Sequence, residues 1–179
     1  APLAFAAVFA VSGAVGPIIA QNAGAGRYDR VLSTLRDAAL FIFAYVGVVW
    51  LLLALAADAV TTAFTASDDA ASLLRFYLHF LTGAFAINGL LFVANASFNN
   101  LGRAYLATAF NYAKVFLGIV PAAYVGATFF GPRGVMLGEA VGMILFGLLG
   151  MVTARYLVRR LQREALVEPP HAGTARAGP

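Results

Sequence analysis

The feature that most constrains the fold is a series of long apolar segments with almost no charged residues. A helix needs about 20 apolar residues to cross a hydrocarbon core of ~30 Å, because each residue adds ~1.5 Å. Five segments meet or approach this length, at about residues 2–21, 38–57, 76–98, 107–130 and 134–154. We therefore predict an all-α integral membrane protein, with five transmembrane helices in a bundle over residues 1–163. Residues 164–179, rich in proline and glycine, are predicted to form a disordered tail.

The composition excludes most soluble classes of protein. Charged residues make up 11% of the chain, against roughly 25% in a soluble domain, and mean hydropathy is +0.83. The isoelectric point is near 9.8, but the arginines stand at the ends of apolar segments instead of forming a basic patch, so no nucleic-acid partner is expected. There is no cysteine, no Walker A, zincin or nucleophile-elbow motif, and only two histidines. We expect neither an enzyme nor a bound cofactor or metal.

The charged residues sort onto two sides of the predicted bundle. One side receives eight arginines, which are Arg27, Arg30, Arg36, Arg103, Arg155, Arg159, Arg160 and Arg163. The other side receives two, Arg75 and Arg133, together with the acidic residues Asp58, Asp68 and Asp69. Because positive residues accumulate on the cytoplasmic side of membrane proteins, we predict that the C-terminus and its tail are cytoplasmic. Lys114, inside the fourth helix, is expected to snorkel back to that interface.

The third predicted helix carries a polar stripe. Asn88, Asn95 and Asn99 are spaced by seven and four residues, so they share one helix face, with Phe92 on the same side and Phe85 nearer the outer end. Amides at membrane depth face protein or a water-filled cavity, since lipid cannot satisfy them. One interpretation is the wall of a substrate cavity. The alternative is hydrogen bonding between helices, at roughly 0.6 kcal/mol per bond.

Two ionisable residues are candidates for proton or cation coupling. Glu139 lies inside the fifth predicted helix, where a carboxylate indicates function unless it is an interfacial group paired with Arg133. His79 lies near the outer end of the third helix, where an imidazole is a candidate proton relay. Its alternative role is an interfacial hydrogen-bonding group.

Small residues and a proline predict how the last two helices pack. Gly134, Gly138 and Gly142 are spaced by four residues, which lets a neighbouring helix approach closely. Pro121 removes a backbone hydrogen bond within the fourth helix and is predicted to kink it. The short run 131–134 (GPRG) predicts a tight turn between the two helices.

Two stretches of the sequence resemble one family of transporters. The first is residues 16–31 (GPIIAQNAGAGRYDRV), where a helix ends in a glutamine, a Gly-Ala-Gly run and a charged cluster. The second is residues 95–103, followed by Asn111, Pro121, Gly126 and the turn at 131–134. Together they resemble the C-terminal lobe of a multidrug and toxic compound extrusion (MATE) transporter over about residues 1–163. On this resemblance the five helices are the last five of twelve and form part of a six-helix lobe.

The resemblance implies a function and a location. It implies secondary active efflux of hydrophobic organic cations across the bacterial inner membrane, driven by Na⁺ or H⁺ and associated with antibiotic resistance. Substrate would bind between this lobe and an N-terminal lobe of the same polypeptide that is missing from this chain. Gln21, Asn22 and Gly24 match a structural helix-end motif, and Asn88 and Asn95 match the lobe interior.

The match to the family is incomplete at one position. NorM-type members carry a cation-linked carboxylate on the helix equivalent to 76–102, where this sequence has only asparagines, so no coupling-ion site is evident.

Two alternatives to multidrug efflux stay open. Related lobed exporters flip polyprenyl-linked sugars, but they place several cationic residues in the cavity, and here Lys114 is the only candidate. The other alternative is a small non-transporting membrane protein that packs with a partner through its glycine face. The chain starts at Ala1 inside an apolar run, with no charge before Arg27, so we expect it to be part of a longer protein.

Overall fold

A computed structural model describes residues 2–64 and 67–167, without the side chains of residues 2–5 and 7. The described chain is helical and contains no strand. Its helices are α1 (Pro2–Gly24), α2 (Tyr28–Leu55), α3 (Ala57–Phe64), α4 (Asp68–Phe76), α5 (Thr82–Asn100), α6 (Ala104–Ala113) and α7 (Val120–Val167). Two π-helical segments, Tyr77–Leu81 and Lys114–Ile119, join α4 to α5 and α6 to α7 without a break.

These elements make five passes. By length and composition, three continuous helices could cross a membrane: Tyr28–Leu55, Asp68–Asn100 and Ala104–Val167. The last of these turns back on itself at Gly131, whose φ of 58° and ψ of −139° lie outside the helical region. It therefore supplies two passes, residues 104–130 and the second arm of α7, residues 132–167. We count α1, a helix of 23 residues, as the remaining pass, although its apolar part Val8–Gly24 is shorter than the three candidate spans.

Several helices extend beyond the predicted spans. Helix α2 begins at Tyr28, ten residues before the predicted span, and buries Val31 and Leu35 against the bundle. Asp37 therefore lies well inside α2, where it pairs with Arg36 on the exposed face. The second arm of α7 is helical through Val167, so residues 164–167 are not part of an irregular tail. The rest of the predicted tail, residues 168–179, falls outside the described residues.

Helix α5 is the centre of the bundle. It packs against α1, α2, α6 and the second arm of α7, and most of its side chains are buried. Around it, α1 packs on α2, and α2 packs on the second arm of α7. The second arm in turn packs on the pass formed by residues 104–130. The five passes thus form an incomplete ring around α5.

Glycines allow the last two passes to approach each other closely. Gly134 faces the backbone of Gly126, and Gly138 faces the backbone of Ala122 and Ala123. Gly142 lies against Ile119 one turn further on. The predicted glycine face is therefore the contact between the two arms of this hairpin. The opposite face of the second arm is also close-packed, because Gly147 lies against the backbone carbonyl of Ile87 in α5.

The loops lie at the two ends of the bundle as the charge pattern predicts. At one end, the Gln162 amide donates a hydrogen bond of 2.7 Å to the Asp29 carboxylate, joining the C-terminal end of α7 to the start of α2. At the other end, Arg75 forms an ion pair of 2.8 Å with Asp58. Here too, Arg133 donates a hydrogen bond of 2.6 Å to Ser72. We call the first end, which carries the eight arginines, the arginine-rich end.

Candidate functional site

The ring of helices around α5 is open on one side. Helix α1 packs on α2 and α5, and α6 packs on α5 and α7; among the described residues no extensive contact joins α1 to α6. The face of α5 that lies between them carries Asn88, Phe92, Asn95 and Asn99. Sequence spacing placed these residues on one face, and the tertiary structure places that face at the opening of the ring. We call this region the α1–α6 opening.

Asn88 lies deepest and is bonded across the bundle. It is 4% exposed, and its Oδ1 accepts a hydrogen bond of 3.3 Å from the Lys114 ammonium. Asn88 is 12 residues from the end of α5 and Lys114 is 10 residues past the start of α6, so both lie ~15–18 Å along their helices. This depth is close to the middle of a ~30 Å hydrocarbon core. The expected snorkelling of Lys114 to the interface is therefore wrong, because its ammonium points inward to an amide.

The remaining residues of the stripe become progressively more exposed. The Phe92 ring is half-buried and meets Phe9 of α1 edge-to-face, with centroids 5.1 Å apart. The backbone carbonyl of Phe92 accepts a 3.3 Å hydrogen bond from Ser12. Asn95 is half-buried, and its buried Oδ1 has no hydrogen-bond partner among the described residues. Asn99 is exposed.

These environments divide the stripe between its two interpretations. Asn88 bonds to another helix, whereas Phe92, Asn95 and Asn99 are accessible in the α1–α6 opening. An amide oxygen left unpaired in the interior costs roughly 1–3 kcal/mol, so the buried Asn95 Oδ1 is a hydrogen-bond acceptor that the described residues do not satisfy.

Phe85 and Glu139 lie together near the other end of α5, away from Asn99. They line a narrow cleft between α5 and the second arm of α7, with Tyr77, Leu81 and Met143, and the cleft is too tight to hold a water molecule. Phe85 is buried and its ring meets the Tyr77 ring at 6.5 Å. Phe85 is therefore not in the α1–α6 opening: the spacing of seven residues puts it on nearly the same helix face as Phe92, but at this level Glu139 and Met143 of α7 lie beside it.

Glu139 is half-buried and is not paired with Arg133. The Arg133 guanidinium instead bonds to Ser72 and lies 5.8 Å from the centre of the Phe76 ring. Glu139 and Tyr77 line the same cleft near the outer end of the bundle, whereas the Lys114 ammonium bonds to Asn88 nearer the middle.

His79 is separate from this group. Its side chain is exposed, and its Nδ1 lies 2.9 Å from the carbonyl oxygen of Arg75, one turn earlier. Its own carbonyl accepts a 2.9 Å hydrogen bond from the Trp50 indole of α2. The structure therefore ties His79 into local backbone bonding within the π-helical segment. It does not bring His79 and Glu139 into one site.

Pro121 stands where the helical register changes. The π-helical segment Lys114–Ile119 ends one residue before it, and the Val120 amide donates to the Val115 carbonyl five residues back. A proline lacks the amide hydrogen that the next α-helical bond would need, and a π-bulge is one way to absorb that loss. The same bulge contains Lys114, so the irregular backbone and the inward-facing ammonium occur together.

The interior pairing of Lys114 is the feature that sequence reasoning missed. The available signal was that Asn88 is the asparagine nearest the middle of its helix and that Lys114 lies 10 residues into its pass of residues 104–130. No spacing rule joins residues 26 positions apart in different helices. In the described part of the chain, no three His, Asp or Glu side chains cluster closely enough to hold a metal ion.

Comparison with known proteins identifies a family and a fold. The family model MatE matches residues 1–125. A protein of Shewanella oneidensis described as an FAD transporter is 27% identical over 168 residues, covering 94% of this chain and 35% of the relative.

Solved structures agree with this match. The Vibrio cholerae MATE transporter VcmN in its bent form superposes with a TM-score of 0.81 at 21% identity, over 89% of this chain and 37% of that one. An inward-facing multidrug resistance MATE transporter gives 0.81 at 17% identity, over 90% and 39%. The chain thus spans little more than a third of the length of these relatives. The predicted fold, an all-α membrane bundle that forms part of a transporter lobe, is confirmed.

Proposed function

The chain belongs to the MatE family of membrane transporters, and we propose that it forms the C-terminal lobe wall of a secondary active exporter. The observation that carries this proposal is the α1–α6 opening, where one face of the central helix offers aromatic and amide groups. A missing N-terminal lobe of the same polypeptide would face this opening. Rocking of that lobe would expose the wall to alternate sides of the membrane. The exporter would lie in the bacterial inner membrane, with the arginine-rich end in the cytoplasm.

Flat, hydrophobic organic cations are the first substrate class. Phe9 and Phe92 form an edge-to-face pair at the opening, and aromatic faces attract cations by roughly 0.5–2 kcal/mol. Asn95 and Asn99 add neutral hydrogen-bonding groups beside them. Such a wall binds aromatic solutes without demanding one shape, which suits multidrug efflux and resistance to antibiotics.

An anionic aromatic solute, such as a flavin dinucleotide, is the second class. Lys114 favours it, because an ammonium held near mid-membrane beside Asn88 attracts an anion and repels a cation. The FAD transporter similar over 94% of this chain supports the same class. A polyprenyl-linked sugar flippase has weaker support, since Lys114 is the only inward-facing cation that we identify among the described residues.

Transport by the complete polypeptide that contains this chain separates the two substrate classes. Cells that express it are loaded with ethidium or assayed for released FAD, both of which are fluorescent. If the substrate is an anion, Lys114→Gln lowers FAD release at least tenfold and leaves ethidium efflux unchanged. If it is a cation, Lys114→Gln leaves ethidium efflux unchanged or raises it, and FAD release does not exceed that of cells without the protein. Val115→Ala, on the exposed side of the same segment, is the matched control. Transport of neither compound would contradict the proposal.

We also propose that Glu139 couples export to Na⁺ or H⁺. The carboxylate is half-buried, is not paired with Arg133 and lies beside Tyr77. In vesicles with an imposed gradient, Glu139→Gln should abolish the acceleration of efflux by that gradient. Arg133→Gln should retain it. Equal acceleration in both variants would place the coupling group elsewhere in the polypeptide.

A further inference from the structure

A second groove lies on the other side of α5 from the α1–α6 opening. It runs between α2 and the second arm of α7, with Leu90 of α5 as its floor, and has a volume of about 330 Å³. Its other lining residues are Arg36, Ala39, Leu40, Phe43, Leu148, Met151, Val152 and Arg155. Two of the lining residues are arginines and none is acidic. We call this the α2–α7 groove.

The two walls of the groove repeat one arrangement. On α2, Arg36 is followed one and two turns later by Leu40 and Phe43. On α7, which runs in the opposite direction, Arg155 is preceded one and two turns earlier by Val152 and Leu148. Because the helices are antiparallel, both walls change from a guanidinium to apolar side chains in the same direction. The four apolar side chains are each at least 43% exposed, so no described residue covers the groove.

The arginines stand at the depth of lipid headgroups. Arg155 is 24 residues past the turn at Gly131, or ~36 Å along the helix. Arg36 is 19 residues before the end of α2, or ~29 Å. A hydrocarbon core is ~30 Å thick, so both guanidinium groups lie near the interface at the arginine-rich end, and the apolar side chains lie within the core.

We propose that the α2–α7 groove is a binding site for an anionic phospholipid. The phosphate would lie between Arg36 and Arg155, and an acyl chain would run along Leu40, Phe43, Leu148 and Val152. Basic pockets between transmembrane helices bind anionic headgroups in this way. Within the described residues Arg155 has no acidic partner. Arg36 contacts Asp37 at 3.4 Å, but that pair is exposed and weak, so a lipid phosphate can compete for the guanidinium.

The position of the groove gives the lipid a structural role. The lipid would bridge α2 to the second arm of α7 without entering the α1–α6 opening. This proposal does not depend on which solute is transported.

The test measures lipid retained by the complete polypeptide. The protein is purified in detergent, titrated with phosphatidylglycerol or phosphatidylcholine, and the bound lipids are counted by native mass spectrometry. One phosphatidylglycerol should bind at concentrations about 30-fold lower than in the double variant Arg36→Gln, Arg155→Gln. This factor follows from ~1 kcal/mol for each arginine near an anionic headgroup and 1.4 kcal/mol per factor of ten.

Matched controls separate a built site from general attraction to a basic surface. Arg30→Gln on α2 and Arg159→Gln on α7 remove charge from exposed positions on the same two helices, outside the groove. They should stay within twofold of the unmodified protein. Equal losses in the control and groove variants, or equal binding of phosphatidylcholine, would overturn the proposal.

A second measurement asks whether protein fills the groove instead. A spin label at Val152→Cys should be accessible to oxygen, which partitions into lipid, and inaccessible to a polar nickel chelate. This chain has no cysteine of its own, and any cysteine in the rest of the polypeptide is first replaced by serine. Inaccessibility to both reagents would mean that another helix of the polypeptide occupies the groove, and the lipid site would be ruled out.

Discussion

Replacing Gly138 by alanine should separate the last two passes, although alanine is the better helix former. A Cβ atom at this position would overlap the backbone of Ala122 and Ala123 in the facing arm. A backbone cannot move aside by changing a rotamer, so the whole arm must shift. Overpacking of this kind costs about 1–3 kcal/mol, and the backbone contact places Gly138→Ala near the upper value. The gain in helix propensity, up to ~1 kcal/mol, offsets only part of that cost.

Gly47 in α2 is the matched control, because an added Cβ there meets no atom within 4 Å. Gly47→Ala should therefore be neutral or stabilising by up to ~1 kcal/mol. The two variants make the same chemical change in two membrane helices and should differ by about 3 kcal/mol in free energy of unfolding.

The assay is SDS-induced unfolding of the complete polypeptide in mixed micelles, followed by circular dichroism. Gly142→Ala, which meets Ile119 one turn away, should also destabilise the protein. If Gly138→Ala and Gly47→Ala agree within about 0.5 kcal/mol, the close contact between the arms does not exist as described and the packing argument fails.

Two further substitutions test polar groups inside the bundle. Ser97 is fully buried and its hydroxyl has no hydrogen-bond partner among the described residues, so Ser97→Ala should leave the unfolding free energy unchanged or raise it by about 1 kcal/mol. Ser12→Ala, which removes the hydrogen bond to the Phe92 carbonyl, should instead lower the unfolding free energy by about 0.6 kcal/mol. If Ser97→Ala destabilised the protein more than Ser12→Ala did, the hydrogen bonding described for these two hydroxyls would be wrong. Trp50→Phe removes the indole bond to the His79 carbonyl, and amide hydrogen exchange should rise in residues 77–84. Leu51→Phe, exposed on the same helix, should leave that exchange unchanged.

The passes through the membrane were predictable, but the ends of the helices were not. Apolar length reports where lipid surrounds a helix, whereas hydrogen bonding continues into the polar ends. Helix α2 therefore starts at Tyr28, and α7 continues to Val167, well beyond the apolar cores. The turn at Gly131 was predictable, because a glycine followed by a proline marks a break and the backbone there has positive φ.

The polar stripe shows where single-helix reasoning stops. Spacing alone put Asn88, Asn95 and Asn99 on one face, but the neighbours of each depend on which helices pack on α5. Asn88 is buried and accepts a hydrogen bond from Lys114, whereas Asn99 lies beside the gap between α1 and α6 and is exposed. Phe85, grouped with the stripe from the sequence, lies beside Glu139 instead.

By itself, the sequence determined that this protein spans a membrane, how many times, and which ends carry its arginines. Those properties depend on local composition, since each helix must satisfy its own backbone and match the bilayer. Only the tertiary structure decided the pairing of Lys114 with Asn88, the isolation of Glu139 from Arg133 and the existence of the α2–α7 groove. These features join residues far apart in the chain, and their positions follow from how the helices pack around α5.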